Sequence, residues 1–488
     1  MPLVSITLWL PLVGAGLLVV LRLTSTRLAH AIGLTTAGLT LLGALGVALR
    51  GVGPGFSQLE ELPWIPSLGS AYRVGVDGIS LPLVLLTVVL FLAALVFSVH
   101  VHDRAPTYVA LFLLLETTCL GAFMALDLIL FYVFFEVTLV AMYFIIAGWG
   151  HEGRQRAALM FFLYTLLGSL PLLLAIIALY LGNDPRTFDM RAVLAHPPLV
   201  GVTASLTFVA FLIAFGIKTP VFPVHTWLPA AHVEAPTAGS VVLAGVLLKL
   251  GAYGFVRFAL QMTPDAFRAA APWVAGLAVV SALYGAFVAL AQTDLKRMVA
   301  YTSVNHMGYV VIATAAAAAA IDPHARELAV DGAVLQMVSH GLVTGALFLL
   351  VGALQDRTGT REISAFGGLL RVVPGLGWAF ILAAFASLGL PGLAHFPAEF
   401  QIFLGTFSVW PWAAAIALVG ILVTAGLYLR AIQTAFLGVP SERWTKLADL
   451  GLADGLAVVP LLALIVVVGI APGWLLNVIH ATVSAIMR

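Results

Sequence analysis

Long apolar segments separated by short polar stretches recur along the whole chain. Because about 20 apolar residues are needed to cross some 30 Å of hydrocarbon, this pattern predicts an all-α, polytopic membrane protein with about fourteen transmembrane helices. The predicted spans are residues 3–22, 28–49, 78–100, 107–125, 128–148, 157–181, 204–227, 236–260, 270–293, 297–320, 329–354, 374–404, 409–437 and 451–479.

Composition agrees with this class and excludes several others. Of 488 residues, 62% are hydrophobic and 9% are charged, whereas soluble domains are about a quarter charged. The net charge of +1 leaves no basic surface for nucleic acid. The single cysteine, Cys119, excludes a cysteine-ligated iron–sulfur cluster and an intrachain disulfide. No nucleotide-binding or nucleophile motif is present, so we expect no cofactor and no metal in this chain.

The distribution of Lys and Arg predicts the orientation. Placing both termini outside puts thirteen of the 23 Lys and Arg residues on the inner side and eight on the outer side, with two inside spans. Arg22 and Lys296 count toward the inner side, and Arg257 and Arg488 toward the outer side. Because inner loops carry the positive excess, we expect both termini outside, and the first span is predicted to be a retained helix.

Two spans carry proline-rich interruptions. The seventh reads FGIKTPVFPVHTWLP and the twelfth reads LGLPGLAHFPAEF. Proline removes a backbone donor and clashes with the preceding turn, so both helices should unwind locally. Broken helices at matched places in two halves indicate a transporter built from inverted repeats. Kinked packing helices are the alternative.

The five-span interval between the two breaks predicts how the chain is divided. We expect N-terminal helices in residues 1–106, a first half-channel repeat in 107–260, a second in 261–437 and a final helix in 438–488. Each repeat would contain five helices, one of them broken.

Five ionisable residues lie well inside predicted spans, where a charge costs at least about 2.5–3.5 kcal/mol at the bilayer centre. They are Glu116, Glu136, Lys218, Lys249 and Glu399. Buried acids and lysines suit reversible proton transfer. Buried salt bridges that hold helices together are the alternative.

Histidines add further candidates. His306 and His340 lie in spans 10 and 11, and a neutral imidazole can pass a proton between its two nitrogens. Two helical histidines can instead ligate a haem, or be hydrogen-bonded without further function. His225 and His232 flank the first break as access-path groups or ordinary interface residues, and Asp127 is predicted to be a helix cap.

Two blocks carry a specific resemblance. FGIKTPVFPVHTWLPAAHVEAPTAGSVVLAGVLLKLGAYG, followed by LAQTDLKRMVAYTSVNHMGYV, closely resembles the antiporter-like membrane subunits of respiratory complex I, and the resemblance extends from about residue 75 to 436. The chain is most similar to the M type. The L and N types and the sodium/proton antiporter subunits generally carry lysine where this chain has Glu399, and the long lateral helix of the L type is missing.

The resemblance implies a proton path. Glu136 matches an essential glutamate and Lys218 the lysine that it pairs with, while Lys249 matches a central lysine and Glu399 the terminal acid. The other implied members are His306 and His340, which would link Lys249 to Glu399, and Glu116 as a further acid.

Three positions depart from the family pattern. Ala141 stands where proline is common, and Ala231 replaces the aspartate of WLPDAH. HFPAEF replaces the more usual GFVGEF, so His395 and Pro397 are unusual and the shape of the exit path is in question.

The function implied is proton translocation within an NADH:quinone oxidoreductase, driven by redox chemistry in other subunits. Expected partners are L-, N- and K-type membrane subunits, the peripheral redox arm with its flavin and iron–sulfur clusters, and membrane lipid, most simply in a bacterial plasma membrane. The alternatives are a subunit of a multisubunit sodium/proton antiporter, a related redox-driven pump that does not use NADH, and a structural scaffold or haem protein.

Overall fold

The structure, a computed structural model, describes residues 2–21 and 24–487. Arg22 and Arg488, both counted for the orientation, lie outside these residues. The first part of the chain forms α1 (Leu3–Val20), α2 (Thr26–Leu49), β1 (Ser57–Ile65), β2 (Ser70–Val76), α3 (Ser80–His100), α4 (Ala105–Met124), α5 (Leu128–Trp149), α6 (Arg154–Gly182), α7 (Met190–Ala195), α8 (Gly201–Lys218), α9 (Trp227–Glu234) and α10 (Thr237–Met262). The second part forms α11 (Pro264–Leu290), α12 (Leu295–Ala319), α13 (Pro323–Thr358), α14 (Pro374–Ser387), α15 (His395–Val409), α16 (Pro411–Phe436), α17 (Leu452–Ile470) and α18 (Gly473–Ile486).

The all-α membrane fold predicted from the apolar pattern is confirmed, with differences in two spans. Twelve helices in the described residues are long and apolar enough to cross a membrane, and α12 forms the tenth predicted span. The twelfth is divided between α14 and α15, as its prolines predicted. The fourteenth was predicted too long: α17 ends at Ile470, and α18 begins after Pro472, which cannot continue the helix.

The segment between α2 and α3 contains an antiparallel hairpin, β1–β2, that sequence analysis did not predict. The hairpin supports the start of α1, because the Glu60 carboxylate accepts hydrogen bonds from the backbone N–H groups of Val4 and Ser5, both at 2.9 Å. These are among the N–H groups that a helix start leaves without partners. Contacts with α1 therefore hold the hairpin in place without a separate hydrophobic core.

Asp127 caps α5, as predicted, and also holds the hairpin. Its carboxylate accepts from the N–H groups of Ile129 at 3.1 Å and Leu130 at 3.2 Å. It also accepts from the N–H of Ala71 at 3.0 Å and from the Arg73 guanidinium at 3.1 Å. One buried carboxylate thus joins a membrane helix to the extramembrane hairpin.

Asp127→Ala is expected to lower the free energy of unfolding by about 1–3 kcal/mol, because several buried donors lose their acceptor. Asp127→Asn keeps one carbonyl acceptor for the cap and should cost less. Thermal unfolding of the purified assembly that contains each variant measures both. Equal midpoints for Asp127→Ala and the unmodified protein would contradict this role.

The centre of the molecule is formed by α10 and α13. Their most apolar 18-residue stretches are entirely buried within the chain, whereas only 28% of the corresponding stretch of α17 is buried. Two π-helical segments, Leu243–Leu247 and Phe255–Ala259, interrupt α10 on either side of Lys249. Such segments frequently occur at functional sites.

Both predicted breaks are present. α8 ends at Lys218 and α9 begins at Trp227, while α14 ends at Ser387 and α15 begins at His395. At the first break, the indole of Trp227 donates to the carbonyl of Ile217 at 3.0 Å, so a backbone acceptor freed by the break is satisfied, as burial requires. Because the breaks lie five spans apart, the two broken helices run in opposite directions across the membrane.

Candidate functional site

The predicted lysine of α10 lies against the predicted histidine of α13. The Lys249 amine is 2.6 Å from His340 Nδ1, and it also donates to the carbonyl of Ala244 at 2.6 Å. That carbonyl belongs to the π-helical segment, so the irregular backbone supplies an acceptor for the amine. Lys249 and His340 are both fully buried.

A second buried cluster lies at the second break. His306 on α12 has its Nε2 3.9 Å from Oε1 of Glu399 on α15, and His395 Nδ1 is also 3.9 Å from that oxygen. The amide of Gln336 on α13 lies 3.5 Å from the same oxygen. Gly389, with a φ of 76°, lies beside Glu399, where a Cβ would approach Oε2 to 2.6 Å. A side chain at 389 would therefore displace the carboxylate.

The imidazole rings connect the two clusters. The ring centroids of His340 and His306 are 5.7 Å apart, and those of His306 and His395 are 4.6 Å apart. His340 and His395 are nearly parallel, at an interplanar angle of 4°. Lys249, His340, His306 and Glu399 therefore form one buried series, and His395 lies beside it.

Lys218 and Glu136 lie near the first break, but the expected ion pair is open. The Lys218 amine donates to Thr138 Oγ1 at 3.3 Å and lies 4.8 Å from the centroid of the Phe135 ring. One carboxylate oxygen of Glu136 has no hydrogen-bond partner, and no ion pair to Lys218 is present within the described part of the chain. Phe135 and Thr138, which contact the Lys218 amine, both flank Glu136 on α5. The amine and the carboxylate are therefore near each other without being paired.

Thr219 fills the space between Lys218 and α10. Its hydroxyl is buried and has no hydrogen-bond partner, and a Cβ at Gly251 would collide with it. Because Gly251 has no side chain, the hydroxyl approaches α10 two residues from Lys249. This approach places a hydroxyl group between Lys218 and the part of α10 that carries Lys249.

Three other candidates lie apart from this series. Both carboxylate oxygens of Glu116, and both ring nitrogens of His225 and of His232, have no hydrogen-bond partner among the described residues. His232 stacks on Phe348 at a centroid distance of 4.6 Å. Glu116 is therefore buried in α4 without a neighbouring charge to stabilise it.

Two basic residues that the orientation count assigned to loops or their flanks are buried within the protein. Arg257, predicted to be outside the membrane segment, lies in the second π-helical segment of α10, fully buried and ion-paired with Asp77. Lys296, predicted on the inner surface, is fully buried and donates to the carbonyl of Ala235 at 2.6 Å.

Sequence analysis did not include His395 and Gln336 in the site. His395 had been singled out only as a departure from a family pattern. Its position four residues before Glu399 was the available signal, because residues at this spacing share one helix face. Gln336 had no comparable signal.

The arrangement is suited to moving protons. A buried amine, imidazoles and a carboxyl group exchange protons reversibly, and each imidazole can accept a proton at one nitrogen while releasing one from the other. No separate catalytic nucleophile is needed for this chemistry.

Comparisons with known proteins agree with this description. The sequence profile of a family described as NADH:quinone oxidoreductase/Mrp antiporter, TM, matches residues 125–424. NADH-quinone oxidoreductase subunit M from Rhodobacter capsulatus is 40% identical over 100% of this chain and 96% of the relative. Subunit M from Mycobacterium tuberculosis (strain ATCC 25618 / H37Rv) is 37% identical over 98% and 93%.

Solved structures match over nearly the same length. A chain of respiratory complex I from Thermus thermophilus with bound NADH has a TM-score of 0.90 and 34% identity, covering 99% of both chains. A chain of the Mrp complex from Dietzia sp. DQ12-45-1b has a TM-score of 0.86 at 22% identity, covering 99% and 97%, and shows the shared fold alone. The chain thus belongs to the NADH:quinone oxidoreductase/Mrp antiporter transmembrane family and, within it, to the M subunits of NADH-quinone oxidoreductase, the membrane subunits of complex I.

Proposed function

We propose that this chain translocates protons across the membrane, driven by redox chemistry in other subunits of the complex. The observation that carries the proposal is the buried series Lys249–His340–His306–Glu399, which begins at the interrupted helix α10 and ends at the second broken helix. Intramembrane ionisable groups that face one another in this way mark proton relays.

The first step concerns Glu136 and Lys218. When the Glu136 carboxylate lies close to the amine, it stabilises the ammonium form of Lys218. When the two separate, as they are in this structure, the ammonium loses that stabilisation and releases its proton toward α10. Thr219 provides a hydroxyl that can accept and donate a hydrogen bond along this route.

In the second step, Lys249 receives a proton and transfers it to His340. Transfer from His340 to His306 needs a small ring movement or a bridging water, because the centroids are 5.7 Å apart. His306 then protonates Glu399, from which the proton leaves on the outer side. Each group accepts one proton and releases one, so the series returns to its starting state.

The direction of transport requires a driven switch. Moving one proton against the membrane potential costs roughly 2.3 kcal/mol per 100 mV. The energy is proposed to come from the peripheral redox arm, whose flavin and iron–sulfur clusters oxidise NADH and reduce quinone. No redox centre is assigned to this chain.

The remaining proposals concern the neighbours of this chain, its membrane and its orientation. The L-, N- and K-type subunits are the proposed neighbours in a bacterial plasma membrane, together with lipid, and both termini are proposed to face outward. Residues 107–260 and 261–437 are proposed as the two half-channels. A gradient-driven sodium/proton antiporter is less well supported, because subunit M relatives match the full chain at higher identity than the Mrp structure does.

Glu136→Gln tests the proposal. This substitution removes the negative charge with little change in volume, so Lys218 loses its switchable partner and NADH-driven proton uptake by inside-out vesicles should fall by about tenfold or more, equivalent to about 1.4 kcal/mol on the barrier. Recovery of the assembled complex and electron transfer to a soluble artificial acceptor serve as controls. Unchanged proton uptake would remove Glu136 from the mechanism.

A further inference from the structure

The end of the buried series has the composition of a metal site. His306, His395 and Glu399 each place one potential ligand atom so that all three atoms lie within 4.8 Å of one another, and all three residues are buried. Two imidazoles and a carboxylate are ligands that Zn²⁺ accepts. The earlier expectation of no metal was based on the single cysteine and could not detect ligands from two separate helices.

The geometry lies close to that of a coordinated ion. Tetrahedral Zn²⁺ with bonds of about 2.0–2.1 Å places its ligand atoms about 3.3 Å apart. The Glu399 oxygen is 3.9 Å from a ring nitrogen of each histidine. Rotation of the three side chains by less than about 1 Å per ligand atom therefore reaches the required spacing.

Each imidazole ring turns one nitrogen toward Glu399. These are Nε2 of His306 and Nδ1 of His395, each 3.9 Å from Oε1, and Nδ1 of His395 also lies 3.3 Å from the carbonyl oxygen of Ser387. Nε2 of His395 and Nδ1 of His306 are buried without hydrogen-bond partners. With the proton of each ring on that other nitrogen, the nitrogen that faces Glu399 has a free lone pair for a cation.

A cleft beside Glu399 provides space next to the proposed ligands. Glu399 is the one ionisable residue lining a cleft of about 430 Å³ between α15 and α16, whose walls are otherwise apolar, with Phe396, Phe400 and Phe407 among them. Glu399 therefore forms the boundary between the histidines and the surface of the chain.

We propose that His306, His395 and Glu399 bind a transition-metal dication of the Zn²⁺ class, and that the bound ion blocks the end of the proton path. The site consists of two neutral imidazoles and one carboxylate, so a bound dication leaves one positive charge in a low-dielectric interior. Binding therefore competes with protonated Lys249 at the other end of the series. The blocking effect, unlike the binding itself, rests on the proposed proton path.

Equilibrium dialysis of the purified complex against Zn²⁺ tests the binding. The unmodified complex should bind one more Zn²⁺ than either His395→Gln or His306→Gln, whereas His225→Gln, which also removes a buried imidazole, should bind as many as the unmodified complex. Two site variants are measured so that a folding defect in one of them cannot by itself explain the lost Zn²⁺ binding. Equal Zn²⁺ binding by the unmodified complex and both site variants would overturn the proposal.

The effect on transport is measured during NADH oxidation in inside-out vesicles prepared with Zn²⁺ in their lumen, the side on which the proton path is proposed to end. His395→Gln should raise the half-inhibitory Zn²⁺ concentration by at least about tenfold, because even loss of an outer-shell partner costs this much metal affinity. Mg²⁺, which prefers oxygen ligands, should not inhibit. If the variants lose one bound Zn²⁺ but the ion does not inhibit the unmodified complex, the metal site stands and its blocking role, with the path through Glu399, is overturned.

Discussion

Lys249→Met is expected to abolish NADH-driven proton translocation while leaving the complex assembled. The substitution retains a flexible apolar stem in a fully buried position but removes the amine that contacts His340. Loss of a proton-transfer group costs about 10²-fold or more, so proton uptake by inside-out vesicles should fall close to background. Uptake is measured by quenching of a pH-sensitive dye and normalised to the amount of complex.

Lys296→Met provides a matched control for this experiment. Lys296 is also a fully buried lysine that donates to a backbone carbonyl at 2.6 Å, but it lies outside the histidine series. Its removal should cost similar packing and one hydrogen bond, about 1–3 kcal/mol of stability, and should preserve proton uptake. If both variants lose uptake equally, the loss reports helix packing and does not support proton transfer by Lys249.

Lys249→Arg tests whether position 249 acts through its positive charge or through a proton that it can release. Arginine keeps the positive charge but does not release its proton in proteins. We therefore expect this variant to be as inactive in proton uptake as Lys249→Met. Uptake near that of the unmodified complex would show that position 249 acts through a fixed charge.

Glu399→Gln is expected to have the second-largest effect. The amide has almost the shape of the carboxyl group and can still contact Gln336, but it cannot accept a proton from His306. Proton uptake should fall by about tenfold or more, because the series then ends at a group that does not titrate. Electron transfer from NADH to a soluble artificial acceptor should be unchanged, since that reaction needs no proton movement through this chain.

Glu399→Asp completes the test because it keeps a titratable carboxyl group on a shorter side chain. The present separation of 3.9 Å from His306 would increase, so uptake should be partly retained. An aspartate variant as inactive as the glutamine variant would indicate that the distance, rather than the carboxyl group alone, limits transfer. Full activity of Glu399→Gln would exclude Glu399 as the terminal acid.

The two breaks explain why charged groups are tolerated at these depths. An unwound segment in a membrane protein must be buried in protein or line a wet cavity, and here each break lies next to a buried titratable residue, Lys218 at the first and Glu399 at the second. The π-helical segment of α10 has a similar effect, because it directs the carbonyl of Ala244 toward Lys249. Local departures from α-helical geometry thus supply polar partners that a regular helix does not.

The sequence by itself determined the class of protein, most of the spans and both helix breaks, and it supplied the candidate ionisable residues other than His395. These properties are local: a run of apolar residues must cross the bilayer wherever it packs, and proline interrupts a helix in any surroundings. For the same reason, Asp127 was identified as a cap, since capping involves donors two and three residues away. The resemblance added the expectation that Glu136 and Lys218 pair, although it could not show that their ion pair is open.

Only the tertiary structure decided which of these groups meet. Lys249 and His340 are 91 residues apart in the chain, and helices that are apolar on all sides, such as α10 and α13, carry no amphipathic pattern to indicate which faces pack together. The inclusion of His395, the pairing of Arg257 with Asp77 and the hairpin beside α1 depended on contacts between distant segments. Packing among buried helices is set by the complementary shapes of many side chains, which no short stretch of sequence contains.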